Sequence, residues 1–326
     1  MNSSVAFFHN CLYVEERAEG LIPRRFTPVQ QEHWDSMGEV RASRARSCAG
    51  VTIRLRTDSD TLSFSYQVLS SCGEKMVFDL YEGGRLTSSV THLTSAGKGN
   101  VVFNRLFSGK EGLEKDIIIY LPFTAELIFS GFDFGNNVQS VSREKYAGRL
   151  LWLGDSISQG MHASHSSQTL TAILGRKWDF EIVNQGVGGC GFKDICQDFS
   201  YGTWNPEELV MVLGTNDTGP ALTTWDDYEL RLKKCLDAAE QSFGAEHIHL
   251  ITPFWRADLV KPDIGEPFKK ISSLLRAQAR QRNIILIEGS EVSPHCGDFF
   301  WDQRLHPNDI GFSVIGEALE ALFPKQ

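Results

Sequence analysis

The spacing of apolar residues changes near position 146, and this change divides the chain into two parts that fold differently. Before it, apolar side chains alternate with polar ones, as in the segment Val51–Leu55. Such alternation is typical of a strand with one buried face. After it, short apolar runs alternate with helical patterns. Because 326 residues exceed what one hydrophobic core normally supports, we expect two domains, residues 1–146 and 147–326.

Residues 1–146 predict an all-β sandwich that is jelly-roll-like. Two strands face one core across the turn T-D-S-D, and almost no helical pattern interrupts the strands that follow. Many short strands at close spacing are typical of sandwiches and jelly rolls. The further predicted strands are Met76–Tyr81, Asn100–Phe107, Asp116–Leu121 and Ala125–Phe134.

Residues 147–326 predict a doubly wound parallel α/β sheet in three layers, of the flavodoxin-like kind. Strands that alternate with helices form such sheets. The predicted strands are Arg149–Leu153, Phe180–Val183, Leu209–Leu213, His247–Thr252 and Asn283–Ile287. The predicted helices run from Ser156 through Leu174, around Leu232, Leu236 and Ala239, over Pro267–Arg282, and onward from Pro307.

Chemically active or glycine-rich segments follow the strands of this predicted sheet. Ser156 comes after the first strand, a glycine-rich segment ending at Gly189 after the second, and Asn216 after the third. His306 comes after the last strand. Ligands of open α/β sheets bind beyond the carboxyl ends of the strands. We therefore expect a hydroxyl, a glycine loop, an amide and an imidazole to meet at one edge.

These are the groups that acyl transfer requires. A serine hydroxyl attacks a carbonyl carbon when a base takes its proton, so we predict Ser156 as the nucleophile and His306 as the base. The tetrahedral intermediate needs donors for its oxyanion. The backbone N–H groups of Ser156 and Gly189 and the amide of Asn216 are the candidates. Glycine at position 189 allows the backbone to approach the reacting carbon.

The segments G-D-S, N-Q-G-V-G-G, G-T-N-D and H-P-N together resemble the four blocks of the SGNH (GDSL-type) hydrolases. In that order, the resemblance assigns Ser156, Gly189, Asn216 and His306 to the active site and residues 147–326 to the catalytic domain. The strands A-G-V-T-I-R-L-R-T-D-S, V-F-D-L-Y and I-I-I-Y-L-P are similar to the β-sandwich domain that precedes some of these hydrolases.

The acid of the site departs from the pattern of that family. Its acid lies three residues before the histidine, as D-x-x-H, where this chain has Gln303. Asp302 lies one residue further away. Either the loop bulges so that Asp302 reaches the imidazole, or a backbone carbonyl or Gln303 orients His306. We favour Asp302, because a carboxylate stabilises the imidazolium and fixes its tautomer.

The resemblance implies an esterase that removes acetyl or another short acyl group from a carbohydrate or glycoside through an acyl-enzyme on Ser156. The alternative is an acyltransferase that uses the same acyl-enzyme to acylate a small-molecule alcohol. A third interpretation is a carbohydrate-binding protein with a degenerate catalytic domain, which the intact set of motifs opposes. The expected partner is a small-molecule or oligosaccharide ester, and neither a cofactor nor a metal is expected.

Composition argues against other partners. Lys and Arg number 32 against 41 Asp and Glu, and the net charge of −9 disfavours nucleic acid and anionic membranes. The seven cysteines are irregularly spaced and form no C-x-x-C pair, so we expect reduced thiols. The N-terminal segment lacks a basic region and a long apolar run, which predicts a cytoplasmic protein.

Histidine pairs and tryptophans offer two further candidate sites. A metal site would need carboxylates near the histidines, and none clusters there, so we expect structural roles. The histidine pairs are His162 with His165 and His247 with His249. The tryptophans near the predicted edge form either a sugar-stacking wall or part of the core. They are Trp204, Trp225, Trp255 and Trp301.

Overall fold

The structure is a computed structural model that describes residues 3–104, 106, 114–218 and 224–323. The chain divides into two compact units. The first comprises residues 1–146 together with the short segment His165–Ser167, and the second comprises the remainder. Within the described ranges, no helix has both the length and the apolar character needed to cross a membrane.

The strands of the first unit form two antiparallel sheets. The strands are β1 (Phe8–His9), β2 (Tyr13–Arg17), β3 (Gly20–Arg24), β4 (Thr52–Thr57), β5 (Thr61–Ser71), β6 (Lys75–Glu82), β7 (Arg85–Leu93), β8 (Lys98–Asn104), β9 (Lys115–Tyr120), β10 (Ala125–Asp133) and β11 (Gln139–Ser140). One sheet has the order β1-β4-β9-β6-β7, with β11 also pairing with β4, and the other has the order β2-β3-β10-β5-β8.

Both sheets bury apolar side chains in one shared core. Ile53 of β4 and Phe129 of β10 belong to the same cluster although their strands lie in different sheets. The rings of Phe64 on β5 and Phe78 on β6 meet edge to face across the core, with centroids 5.8 Å apart. Two sheets that share a core in this way form a sandwich, which confirms the predicted β-sandwich.

Two helices of the first unit were not predicted. They are α1 (Pro28–Ser36) and α2 (Glu39–Arg46). The sequence does carry a signal for α1, because Thr27 and Gln30 form a capping box around Pro28 at the first helical position. The strand predicted to run to Phe107 ends at Asn104, and positions 105 and 107 lie outside the described residues.

The second unit contains a parallel sheet of order β13-β12-β14-β15-β16. This is the flavodoxin-like order, and the central strands are buried on both faces, as in a doubly wound sheet covered by helices. The predicted α/β fold is confirmed. The strands are β12 (Gly148–Gly154), β13 (Phe180–Gly186), β14 (Glu208–Val212), β15 (Ile248–Ile251) and β16 (Ile285–Ile287). The helices are α3 (Ser156–Gln159), α4 (Leu170–Trp178), α5 (Trp225–Phe243), α6 (Pro262–Arg282), α7 (Gly289–Val292) and α8 (Asp309–Leu322).

The helix predicted from Ser156 through Leu174 is wrong. α3 ends after one turn at Gln159, because Gly160 adopts the left-handed conformation with φ 98° and caps it. The chain then runs through a loop before α4 begins at Leu170. A glycine inside an apolar pattern can end a helix, and here Gly160 ends the helix four residues after the predicted nucleophile.

The strand register brings the ends of the sheet strands to one edge. Gly154 of β12 lies beside Gly186 of β13 and Val212 of β14, and Val212 lies beside Ile251 of β15. The chain leaves β12 for β13 on one side, and β14 lies on the other. Such a reversal of strand order opens a crevice at the carboxyl ends, where ligands of this fold bind.

Candidate active site

A tight turn between β12 and α3 presents Ser156. Asp155 caps α3, and its carboxyl oxygen accepts the N–H of Ile157 at 2.9 Å. A Cβ on Gly154 would lie 1.8 Å from the Oγ of Ser158, so only glycine fits where the strand ends. Ser156 is thus the first residue of α3, with 6% of its surface exposed.

Ser156, His306 and Asp302 form a continuous chain of hydrogen bonds. The Oγ of Ser156 lies 3.0 Å from Nε2 of His306, and Nδ1 of His306 lies 2.9 Å from Oδ2 of Asp302. An ionised carboxylate only accepts hydrogen bonds, so the N–H group at Nδ1 of His306 donates a hydrogen bond to Asp302. Nε2 then accepts the proton of Ser156, which is the arrangement that activates a serine nucleophile.

Asp302 reaches the imidazole because the loop bulges at Gln303. Gln303 adopts a left-handed backbone conformation with φ 53°, and its side chain is exposed. The Oδ1 of Asp302 accepts the N–H groups of Arg304 at 3.0 Å, Leu305 at 2.7 Å and His306 at 3.1 Å. Of the three arrangements that the sequence left open, the structure has the one in which the carboxylate contacts His306.

The environment of Asp302 favours its ionised form. Burial by itself would raise the pKa of this carboxyl. The N–H of Leu305 and the imidazole of His306, followed by the other backbone N–H groups, lower it by more. The resulting pKa lies well below the usual range of an aspartate. Asp302 therefore stays charged and faces the imidazole of His306.

The glycine loop after β13 holds one backbone N–H group ready for a ligand. Gly188 donates its N–H to the Oε1 of Gln159 at 2.8 Å, and Cys190 donates to the carbonyl of Val187 at 3.0 Å. Gly189 between them has a φ of 77°, and its N–H bonds to no other residue in the described ranges. This is the group predicted to bind an oxyanion, and glycine suits its left-handed backbone.

Asn216 lies against the same loop. Gly214, with φ 116°, turns the chain out of β14 into the short helical segment Thr215–Asp217. The amide of Asn216 donates to the carbonyl of Cys190 at 3.1 Å. A side-chain amide carries two hydrogens, so this bond orients the group and leaves one hydrogen for a ligand. The N–H of Ser156, in the first turn of α3, has no acceptor within the helix.

Two buried carboxyls that sequence reasoning passed over support this edge of the sheet. Burial raises the pKa of Asp155 to about 7, and the nearby Asp217 raises it further. Burial likewise raises the pKa of Asp217 to about 6. The N–H of Phe192, which donates to Asp217 at 3.2 Å, lowers this pKa, but by less than burial raises it. A Cβ on Gly191 would lie 2.2 Å from a carboxyl oxygen of Asp217. Asp155 lies in the motif G-D-S and Asp217 in the motif G-T-N-D, so their place in these motifs is the feature of the sequence that could have indicated their role.

A second feature that the sequence did not reveal is an aromatic stack beside His306. The ring centroids of His162 and His306 lie 4.7 Å apart. The imidazole of His162 also stacks on the indole of Trp301, with ring centroids 4.2 Å apart and 14° between the planes. Burial, followed by the neighbouring His306, lowers the pKa of His162.

The other histidines considered as ligands bind carboxylates: His247 and His249 contact Glu208, and His165 contacts Asp79.

Comparison with known proteins places the second unit in a family. Residues 152–314 match the model of the GDSL-like lipase/acylhydrolase family. The chain belongs to this family. The prediction of an SGNH-type serine hydrolase is therefore confirmed. Among curated proteins, no sequence matches the chain significantly.

Solved structures share the fold of most or nearly all of the chain at low sequence identity. The salicylyl-acyltransferase SsfX3 from a tetracycline biosynthetic pathway is 17% identical, with a TM-score of 0.73, over 98% of this chain and 96% of its own. The acetyl xylan esterase Est2A from the rumen bacterium Butyrivibrio proteoclasticus is 14% identical, with a TM-score of 0.63, over 98% and 95%. A family two carbohydrate esterase from Clostridium thermocellum is 15% identical, with a TM-score of 0.65, over 85% and 91%.

Proposed function

We propose that this GDSL-family protein is an esterase that removes acetyl or another short acyl group from a carbohydrate or glycoside. The observation that carries the proposal is the hydrogen-bonded chain from Ser156 through His306 to Asp302. Those three groups supply a nucleophile, a base and a fixed negative charge. The same chain argues against a binding protein with a degenerate site, which would not need to keep this geometry.

The reaction proceeds through an acyl-enzyme on Ser156. The Oγ attacks the ester carbonyl carbon while His306 takes its proton, and the oxyanion is stabilised by the N–H groups of Ser156 and Gly189 and the amide of Asn216. His306 then returns the proton to the departing alcohol oxygen as the carbon–oxygen bond breaks. Water, activated by the same imidazole, cleaves the acyl-serine bond and releases the acid.

The carbohydrate substrate is supported by the two-unit structural relatives. An acetyl xylan esterase and a carbohydrate esterase share the fold over most of this chain. The second candidate, acyl transfer to a small-molecule alcohol, is supported by the equally extensive likeness to a salicylyl-acyltransferase. Both reactions use one acyl-enzyme, and they differ only in whether water or an alcohol accepts the acyl group.

A hydrolysis and labelling experiment tests the proposal. We expect the protein to hydrolyse p-nitrophenyl acetate and to react once with a fluorophosphonate probe, and Ser156→Ala to abolish both with little change in Tm. Ser273→Ala, which removes an exposed hydroxyl on α6, is the matched control and keeps both activities. Labelling that persists in Ser156→Ala at another serine contradicts the assignment.

Product analysis separates the two candidate reactions. Acetylated xylo-oligosaccharide is incubated with the protein in the presence and absence of an excess alcohol acceptor. An esterase yields free acetate in both reactions. A transferase yields acetylated acceptor and little acetate, and that result would replace the esterase proposal with the second candidate.

A further inference from the structure

Trp301 is a large apolar side chain that stays exposed beside the catalytic groups. It has 63% of its surface exposed, whereas Trp204 is buried and donates to Glu181. Exposed aromatic side chains at a ligand site supply flat contact area with little loss of conformational freedom on binding. Its backbone N–H donates to the carbonyl of His306 at 2.8 Å, so the indole is tied to the residue that transfers the proton.

One face of the indole is covered by His162, and the loop is built to keep it there. His162 has a left-handed backbone conformation with φ 72°, which is unfavourable for a residue with a side chain. Two residues later, Ser164 donates both its N–H and its hydroxyl to the carboxylate of Asp309 at the start of α8. These bonds hold the loop behind α3 so that the imidazole lies between Trp301 and His306.

The position of this stack assigns it to the alcohol side of the ester. His306 must contact the oxygen of the departing alcohol in order to return the proton to it. The candidate oxyanion donors Gly189 and Asn216 lie instead on the loops after β13 and β14. The imidazole of His162 packs against that of His306 and the indole stacks on His162, so this stack neighbours the group attached to the alcohol oxygen.

We propose that the indole of Trp301, held by His162, is the platform on which the pyranose ring of the alcohol part of the substrate stacks. This inference rests on the proposed function and specifies the subsite. The face of an aromatic ring is electronegative, so it attracts the C–H bonds on the flat face of a pyranose. His162 is a positioning residue, because it acts by fixing the plane of the indole.

The test compares esters that share the acetyl group and differ in the alcohol. Trp301→Ala should lower kcat/KM for an acetylated methyl pyranoside at least about tenfold, mainly through KM, and change that for ethyl acetate less than about twofold. Trp301→Phe, which keeps a ring, should restore most of the loss. His162→Ala should show a smaller loss of the same selectivity, and His295→Ala, which removes the histidine stacked on Trp255, should show none.

The outcomes separate this inference from the proposed function. An equal loss on the pyranoside and on ethyl acetate would show that Trp301 only supports His306, and an unchanged kcat/KM on both would show that it contacts no substrate; either overturns the platform. Phenyl acetate is assayed as a third ester, and a loss confined to it would assign the indole to an aromatic alcohol and overturn the pyranose. Failure of the wild type to hydrolyse both the acetylated pyranoside and p-nitrophenyl acetate would contradict the proposed function itself.

Discussion

Asp302 holds the imidazole of His306 while three backbone N–H groups hold Asp302. A carboxylate at this position stabilises the imidazolium, whereas a neutral amide would orient the ring in a different tautomer and leave the charge uncompensated. Loss of a triad aspartate costs up to about ten-thousandfold in rate. We expect Asp302→Asn to lower kcat for p-nitrophenyl acetate by at least about a hundredfold.

Gln303→Ala is the matched control for Asp302, because it changes the neighbouring residue at the position where the family has its acid. The Gln303 side chain is exposed, and its left-handed backbone costs about as much with alanine as with glutamine. We expect kcat to change only a few-fold. Near-normal activity of Asp302→Asn would mean that Ser156 and His306 work as a dyad.

Asn216 is the proposed side-chain donor to the oxyanion. Its amide is oriented by the carbonyl of Cys190, and removing one such donor lowers kcat about a hundred- to a thousandfold. We expect Asn216→Ala to lower kcat by about a hundredfold or more with KM little changed. The control is Asn137→Ala, at an exposed asparagine of the first unit that bonds to Asp58. A near-normal kcat would leave Asn216 with a structural role only.

At the scale of the element, the turn from β12 into α3 contains a carboxyl whose pKa is unusually high for an aspartate. The pKa of Asp155 is about 7 in the folded protein against an ordinary value of 3.8. The folded state therefore binds a proton that the unfolded state releases. This contribution to stability is fully present below about pH 4 and is lost as the pH rises through about 7.

Asp155→Asn tests this pH dependence. Asparagine caps helices as well as aspartate does but does not titrate. We expect its free energy of unfolding, measured in urea at pH 4.5, 6 and 7.5, to decline less with pH than that of the wild type. Asp217 titrates in the same direction and remains in both proteins, so the slope is reduced without vanishing. Parallel curves would show that Asp155 is ionised throughout this range.

An element could be predicted from the sequence when neighbouring residues determine it, and could not when contacts between distant residues do. The alternation of Val51–Leu55 and the order of strands and helices are local patterns, and both led to the correct fold classes. The capping box of Thr27 and Gln30 is an equally local signal for the start of α1, which the alternation of apolar residues does not contain. The stack of His162 on Trp301 could not be predicted, because it joins two loops distant in the sequence. The left-handed backbone of Gln303 depends on the three N–H groups that Asp302 accepts, which no spacing reveals.

At the scale of the whole molecule, the cysteines occur as thiols in both units. All seven lie in the described ranges and none of them forms a disulfide, and Cys296 alone among them is exposed. Burial raises the pKa of Cys48 and of Cys235 to about 12, which removes the reactive thiolate. We expect a thiol reagent to modify about one cysteine rapidly in the native protein and all seven after denaturation, with a Tm that reductant does not change. Fewer than seven thiols in the freshly denatured protein would reveal a disulfide.

The bulge at Gln303 also bears on how relatives of this chain are recognised. A pattern that demands an acid three residues before the histidine rejects this chain, although its carboxylate lies 2.9 Å from the imidazole. One left-handed residue takes up the extra link, so the acid can occupy the third or the fourth position before the histidine with the same contact. A search pattern that allows the acid at either position would accept this chain, and a chain should not be set aside as inactive on the spacing of this motif alone.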